Sequence, residues 1–141
     1  MSFNPILLPL LAMVFLTFVV WIYLYALRIP EIKRLGIDPD ELQDRAESHK
    51  LLTVSGAASN NLKNLFEVPI LFYLAVMIAM LLMIQDDLLV WLAWGFVILR
   101  VVHSVIHCSY NRVMHRFFAY LISCLFLMFM WIRLASYILM N

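Results

Sequence analysis

The sequence is poor in charge and in cysteine. Only 13% of its 141 residues are charged, and the formal net charge is +1. Because no basic run is interleaved with aromatic residues, the sequence argues against nucleic acid as a partner. The two cysteines, Cys108 and Cys124, lie in apolar surroundings without CxxC spacing. This arrangement argues against a disulfide framework or a zinc ribbon, so we expect both thiols to be buried and unpaired.

Hydrophobic residues dominate the composition instead. They make up 65% of the chain, and the mean hydropathy is +0.94, whereas soluble domains are roughly 45–50% apolar. Segments of about 20 mainly apolar residues are long enough to cross a bilayer as helices. Four such segments are predicted, at residues 5–28, 56–84, 88–108 and 117–139. We therefore predict an all-α integral membrane four-helix bundle that forms a single domain over residues 1–141.

The sequence also predicts a break within the second span and the side of the membrane on which each connection lies. Pro69 is expected to kink the second span, because its nitrogen cannot donate to the carbonyl four residues earlier. The loop at 29–55 is rich in charge, and a Gly36-x-Asp38-Pro39 break divides it into two short pieces. The turn at Asp86-Asp87 contains no basic residue. By the positive-inside tendency, loop 29–55 and the third connection are cytoplasmic and both termini lie on the other side.

Several polar residues interrupt the predicted spans. An ionisable group at the centre of a bilayer costs roughly 2.5–3.5 kcal/mol, so such groups usually face protein or a cavity. Spacings of three and four residues place each set on one helical face. The sets are Asn60, Asn64 and Glu67 on span two, Arg100, His103 and His107 on span three, and Arg116 and Tyr120 on span four. All three sets fall in the predicted cytoplasmic half, where they would line one anion-binding pocket with Arg28.

The same residues also allow structural interpretations. Glu67 and Arg100 can form a buried ion pair between spans two and three. Asn60 and Asn64 can form hydrogen bonds between helices, and Arg116 can be an interfacial anchor. Tyr120 can be an ordinary core aromatic.

Metal binding is a further alternative. His103 and His107 are spaced like metal ligands on one helix face, and Glu67 is the candidate third ligand. No HExxH motif or additional cysteine supports such a site, so we assign no metal ligands.

The pattern Arg100-Val-Val-His103-Ser104-Val-Ile-His107, followed by Arg116 and Tyr120, resembles that of the MAPEG family. These are the membrane-associated proteins in eicosanoid and glutathione metabolism, and the match is closest to the prostaglandin E synthase branch. Asn64-Leu-Phe-Glu67-Val-Pro69 is similar to the Asn-x-x-Glu and proline of the family's second span. The resemblance covers nearly the whole chain.

The resemblance implies a homotrimer with glutathione sites between subunits, in a bacterial inner membrane or an endomembrane. The implied activity is glutathione-dependent transfer or peroxidase chemistry on small lipophilic electrophiles. It implies that Asn64 and Glu67 hold polar groups of glutathione and that Arg100 binds a carboxylate. Arg116 would stabilise the thiolate, and Tyr120 would donate a hydrogen bond.

The predicted glutathione-binding set also includes Asn60, His103, His107 and Arg28. Asn60 stands where the family has arginine, and His107 stands where it has tyrosine. These differences support an alternative, in which the chain is a non-enzymatic membrane subunit of the same scaffold. Its polar faces would then stabilise an assembly or bind a lipid headgroup.

Overall fold

The computed structural model describes residues 4–140, with side chains other than those at positions 39, 45 and 49. The ends of the predicted domain, residues 1–3 and 141, lie outside the described residues. Within the described range the chain is helical and contains no strand. The helices are α1 (Leu7–Leu35), a 3-10 helix (Pro39–Leu42), α2 (Arg45–Leu51), α3 (Gly56–Glu67), α4 (Pro69–Leu81), α5 (Asp87–Cys108) and α6 (Val113–Met140).

Four helical segments are long and apolar enough to cross a membrane, which confirms the predicted bundle. They are Leu7–Leu35, Gly56–Leu81, Asp87–Cys108 and Val113–Met140. Between 22% and 44% of each apolar window is buried inside the chain. The remaining apolar surface faces outward, as expected for helices that have lipid as solvent.

The helices that contain the first and last predicted spans extend beyond the bounds predicted for those spans. α1 continues through Arg28 and Pro30 to Leu35, so the connecting segment begins at Gly36 and not at residue 29. Gly36 ends α1 because it adopts a left-handed conformation (φ 63°), which glycine adopts readily since it has no Cβ atom. α6 begins at Val113, four residues before the predicted start. In both cases the predicted boundary stands at a charged residue, although charge does not interrupt the backbone hydrogen bonds of a helix.

The second span is divided at the predicted position. α3 ends at Glu67 and α4 begins at Pro69, with Val68 between them. Proline is well suited to the first turn of a helix, where its missing N–H group would have no partner. The predicted kink at Pro69 is confirmed, and it separates the polar α3 from the apolar α4.

Glu31 fixes the start of α3. Its side chain is only 4% exposed, and its two carboxylate oxygens accept hydrogen bonds from the backbone N–H groups of Val54 (2.7 Å) and Ser55 (2.9 Å). Val54 and Ser55 lie just before the first turn of α3, and a negative charge near a helix N-terminus is stabilising. A carboxylate of α1 thus anchors the helix that carries Asn60, Asn64 and Glu67.

The bundle is held mainly by the packing of α5 against α6, while α1 packs on α3 and α5, and α4 packs on α6. Phe72 of α4 stacks on Phe96 of α5 with ring centroids 4.9 Å apart. Gly95 allows close approach of α5 and α6, because a Cβ atom there would overlap the ring of Phe126. Small residues at such crossings are typical of membrane helix pairs.

Candidate functional site

Five predicted site residues come together between α5 and α6. They form what we call the α5–α6 cluster: Arg100, His103, His107, Arg116 and Tyr120. The two imidazole rings lie 5.6 Å apart, and the His103 ring lies 5.8 Å from the Tyr120 ring. The helical spacing predicted from the sequence is therefore confirmed on both helices.

Arg116 carries a positive charge that has no carboxylate partner. Its Nη1 donates to Asn111 Oδ1 at 2.8 Å and lies 3.4 Å from His107 Nε2. None of the ion pairs among residues 4–140 includes Arg116. Asn111 adopts a left-handed conformation (φ 48°) in the turn before α6, which points its amide back to the guanidinium. Neutral groups thus hold the side chain in place, and its charge is available to interact with an anion.

The hydrogen bonds of Arg116 also define the protons on the two histidines. Because a guanidinium only donates, the 3.4 Å contact with Arg116 favours the His107 tautomer that accepts at Nε2 and has its proton on Nδ1. A backbone carbonyl only accepts, so His103 Nδ1 must donate to Arg116 O, at 2.9 Å. His107 Nδ1 and His103 Nε2 are buried and have no hydrogen-bond partner in the described chain. Unpaired buried polar atoms are rare in folded proteins and indicate a place where water or a ligand binds.

Arg100 lies deeper than the resemblance implies. Its exposed fraction is 0%, and the guanidinium carbon stands over the rings of Tyr120 (4.6 Å) and Phe96 (5.2 Å). Its Nη2 makes a long contact of 3.9 Å with Cys124 Sγ. Its Nε and Nη1 find no acceptor within residues 4–140. In this conformation the Arg100 guanidinium packs against the face of the Tyr120 ring and does not reach a carboxylate at the protein surface.

The predicted residues of α3 do not join the α5–α6 cluster. Asn60 and Glu67 are exposed and Asn64 is half-buried, and no hydrogen bond, ion pair or ring contact connects them to the cluster. Glu67 pairs with Lys63 at 3.8 Å, with both side chains about half exposed. The proposed ion pair between Glu67 and Arg100 is therefore wrong within one chain. We call the outward residues Asn60, Lys63, Asn64 and Glu67 the outer face of α3.

The structure also separates the candidate metal ligands. Among residues 4–140, no group of three His, Cys, Asp or Glu side chains is arranged to hold a metal ion. Glu67 points outward on α3, whereas His103 and His107 lie inside the bundle. The three-ligand hypothesis is therefore wrong for the single chain. Arg28 is half-buried on α1 and shares no hydrogen bond or ion pair with the α5–α6 cluster.

Sequence reasoning missed a polar contact between α3 and α5. Asn61 is fully buried, accepts a hydrogen bond from Ser104 Oγ at 3.3 Å, and donates to Cys108 Sγ at 3.5 Å. The available signal was the rotation of 100° per residue in a helix, which turns Asn61 inward when Asn60 and Asn64 turn outward. Cys124 was missed for a related reason. It lies four residues after Tyr120 on the same face of α6, but its apolar neighbours suggested an ordinary buried thiol.

Comparison with known proteins gives one clear relationship. The family model for the MAPEG family matches residues 6–136, nearly the whole chain. This chain belongs to the MAPEG family. No curated protein and no solved structure gave a significant match. MAPEG membership and the four candidate spans together identify an integral, multi-pass membrane protein with surface in contact with lipid.

The matched range includes the whole α5–α6 cluster. It contains α1, α3, α5 and most of α6, so it includes every predicted site residue from Arg28 to Tyr120. It does not by itself assign an activity to them.

Proposed function

We propose that this MAPEG protein is a homotrimeric, glutathione-dependent transferase or peroxidase that acts on lipophilic electrophiles in the membrane. The observation that carries the proposal is the Arg116 guanidinium. It is ordered by Asn111 and His107, has no carboxylate partner among the described residues, and is only partly buried. A cation held in this way is suited to a small anion that arrives from water, beside apolar surface that a lipophilic substrate reaches from lipid.

The chemistry requires stabilisation of a negative charge on sulfur. A thiol with a pKa of about 8.5 is mostly protonated at neutral pH, and each unit of lowering requires about 1.4 kcal/mol of preferential stabilisation of the thiolate. Bound glutathione would supply the sulfur nucleophile. Arg116 would stabilise its charge, since a preorganised and partly desolvated cation interacts more strongly than a hydrated one. The His107 Nδ1–H group is a further unpaired donor for a polar group of the ligand.

Tyr120 and Arg100 have different roles in this proposal. Tyr120 is half-buried and shares the face of α6 with Arg116, so its hydroxyl is the candidate donor to the reacting sulfur or to the electrophile. Arg100 stands under the Tyr120 ring and has no exposed surface. It is therefore a positioning residue for Tyr120 and not a direct ligand of a glutathione carboxylate.

The outer face of α3 supports an assembly of several copies. Charged and amide side chains at membrane depth are costly in contact with lipid and normally face protein. Asn60, Lys63 and Glu67 are exposed in the single chain, so contact with a second copy would shield them from lipid. In the proposed trimer, Asn64 and Glu67 of one copy would complete the site that Arg116 of the next copy begins. The residues present thus fit glutathione, which offers carboxylate, ammonium and amide groups to both halves.

The first experiment tests binding. A ligand that binds only the folded protein raises its melting temperature by mass action, by an amount that corresponds to about 2.7 kcal/mol at one hundred times the Kd. We expect glutathione to raise the melting temperature of the detergent-purified wild type and not that of Arg116→Ala. Arg112→Ala is the matched control, because Arg112 is an exposed arginine near the start of α6 whose side chain makes no hydrogen bond or ion pair with the described residues. A shift that persists in Arg116→Ala would remove Arg116 from the site.

The second experiment tests whether each site is shared between copies. Arg116→Ala and Glu67→Gln each damage one half of the proposed site. Mixed assemblies of the two variants would contain some sites with both halves intact, so we expect co-expression to restore part of the glutathione-dependent turnover of an aromatic chloride. Each variant expressed alone is expected to stay inactive. No recovery in assemblies that are shown to be mixed would place both halves of the site in one copy.

One observation favours a second candidate, a non-enzymatic subunit that uses the same scaffold. Asn60 is exposed and neutral where the resemblance has an arginine, which leaves the outer face of α3 with one cation less for glutathione. This candidate predicts a folded oligomer whose melting temperature does not respond to glutathione. It also predicts that removal of polar groups from that face, as in Glu67→Ala, changes the oligomeric state without any ligand.

A further inference from the structure

Cys124 lies where a thiol is in contact with both lipid-facing surface and a buried cation. It is on α6, four residues after Tyr120, and is half-buried. Its neighbours Leu121 and Leu125 are more than 40% exposed on the outer surface of the bundle. An apolar molecule dissolved in the membrane can therefore approach the sulfur from the lipid side.

Arg100 is the buried cation. It has no exposed surface, and no carboxylate within residues 4–140 pairs with it. Phe96 and Tyr120 present ring faces to its guanidinium carbon, whereas Cys124 presents its sulfur to Nη2 at 3.9 Å. A buried charge without a partner is costly. A thiolate at Cys124 would supply the negative charge that Arg100 otherwise lacks in this protein.

We propose that Cys124, paired with Arg100, is a covalent modification site for lipophilic α,β-unsaturated carbonyl compounds that enter from the membrane. The proton of the thiol leaves to water, and the sulfur donates an electron pair to the β-carbon of the acceptor. A carbon–sulfur bond forms as the carbon–carbon double bond opens, and the α-carbon takes up a proton from water. The net reaction adds S–H across the double bond, so it has no leaving group and needs no oxidant or reductant.

This site shares Arg100 with the proposed glutathione site, where Arg100 positions Tyr120, but its test does not depend on that site. It uses neither Arg116 nor the outer face of α3, and it requires no glutathione. Labelling of Cys124 in the absence of glutathione therefore remains a valid test even if the proposed activity is not found.

The chain provides its own matched control, because it has only two cysteines. Cys108 is also half-buried, but its sulfur accepts a hydrogen bond from the Asn61 amide at 3.5 Å. No arginine or lysine among the described residues contacts that sulfur. The single-cysteine variants Cys108→Ser and Cys124→Ser would each be treated with N-cyclohexylmaleimide in detergent at neutral pH, without glutathione. The intact mass measured over time would give the rate at which one adduct forms.

We expect Cys124, in the Cys108→Ser protein, to react at least about tenfold faster than Cys108, because a cation beside a cysteine increases its reactivity and only Cys124 contacts one. Equal or slower labelling of Cys124, with both variants fully labelled after unfolding, would overturn the proposal.

The role of Arg100 is tested in the Cys108→Ser background. Arg100→Gln removes the charge and is expected to slow the labelling of Cys124 about tenfold or more, while Arg100→Lys keeps most of the rate. Size-exclusion chromatography and helicity show whether each variant is folded. Unchanged labelling in a folded Arg100→Gln protein would contradict the pairing. If that variant does not fold, the comparison of the two single-cysteine proteins still decides the proposal.

Discussion

Removal of the Glu31 carboxylate should loosen α3 from α1. Glu31→Ala leaves the N–H groups of Val54 and Ser55 without their acceptors at 2.7 and 2.9 Å. A hydrogen bond to a charged group contributes roughly 1.5–3 kcal/mol. Val54 is exposed and its N–H group can turn to water, whereas Ser55 has no exposed surface. We therefore expect a loss of about 2–4 kcal/mol in the free energy of unfolding.

The measurement is an unfolding titration in mixed micelles of a mild detergent and dodecyl sulfate, followed by helicity. Glu31→Gln keeps one accepting oxygen and should lose about half as much, roughly 1–2 kcal/mol. The control is Glu47→Ala in α2. Glu47 pairs with Lys50 at 2.7 Å, but both side chains are more than half exposed, so its loss should cost no more than about 1 kcal/mol. Equal effects of Glu31→Ala and Glu47→Ala would refute the reasoning.

Substitutions at Gly95 and Asp86 test the contacts of α5 with α6, and Gly56→Ala is the control for Gly95→Ala. Gly95→Ala should destabilise the protein by about 1–3 kcal/mol in the same titration, because the new methyl group would overlap the ring of Phe126. Gly56→Ala has open space around it and should be neutral or slightly stabilising. Asp86→Ala removes the cap on the first N–H groups of α5 and the 2.7 Å ion pair with Arg133, so it should cost about 0.5–2 kcal/mol. Asp86→Asn keeps the cap and should recover much of that loss, unless the ion pair and not the cap is the stabilising contact.

The four spans and the break at Pro69 were predictable because hydropathy and proline geometry act locally. Helix ends were less predictable, since they depend on backbone conformation. α1 ends at Gly36, which adopts a left-handed conformation, and not at Arg28, the first charge after the apolar stretch. The turn between α5 and α6 likewise depends on a left-handed Asn111.

The candidate site was predictable helix by helix but not as a whole. Spacing alone placed Arg100 with His103 and Arg116 with Tyr120, and the structure brings these faces together. Spacing could not say which way a polar face points. A span surrounded by other helices can turn it inward, as with Asn61, or leave it at the surface of the chain, as with Glu67. The rejected pairing of Glu67 with Arg100 followed from the assumption that all polar faces of one chain turn inward.

The division of polar residues also bears on what would drive assembly. Lipid is as apolar as the helices, so the hydrophobic effect gives little preference for helix association inside the bilayer, and packing and polar contacts decide it. Within the α5–α6 cluster, Arg116 contacts both His103 and His107, whereas the outer face of α3 has the loose 3.8 Å pair between Lys63 and Glu67. The polar side chains of that face would be stabilised by a partner that offers them hydrogen bonds and opposite charges. A ligand that binds between that face and Arg116 of another copy would contribute to the contact itself, so its binding and the assembly of the subunits would be thermodynamically linked.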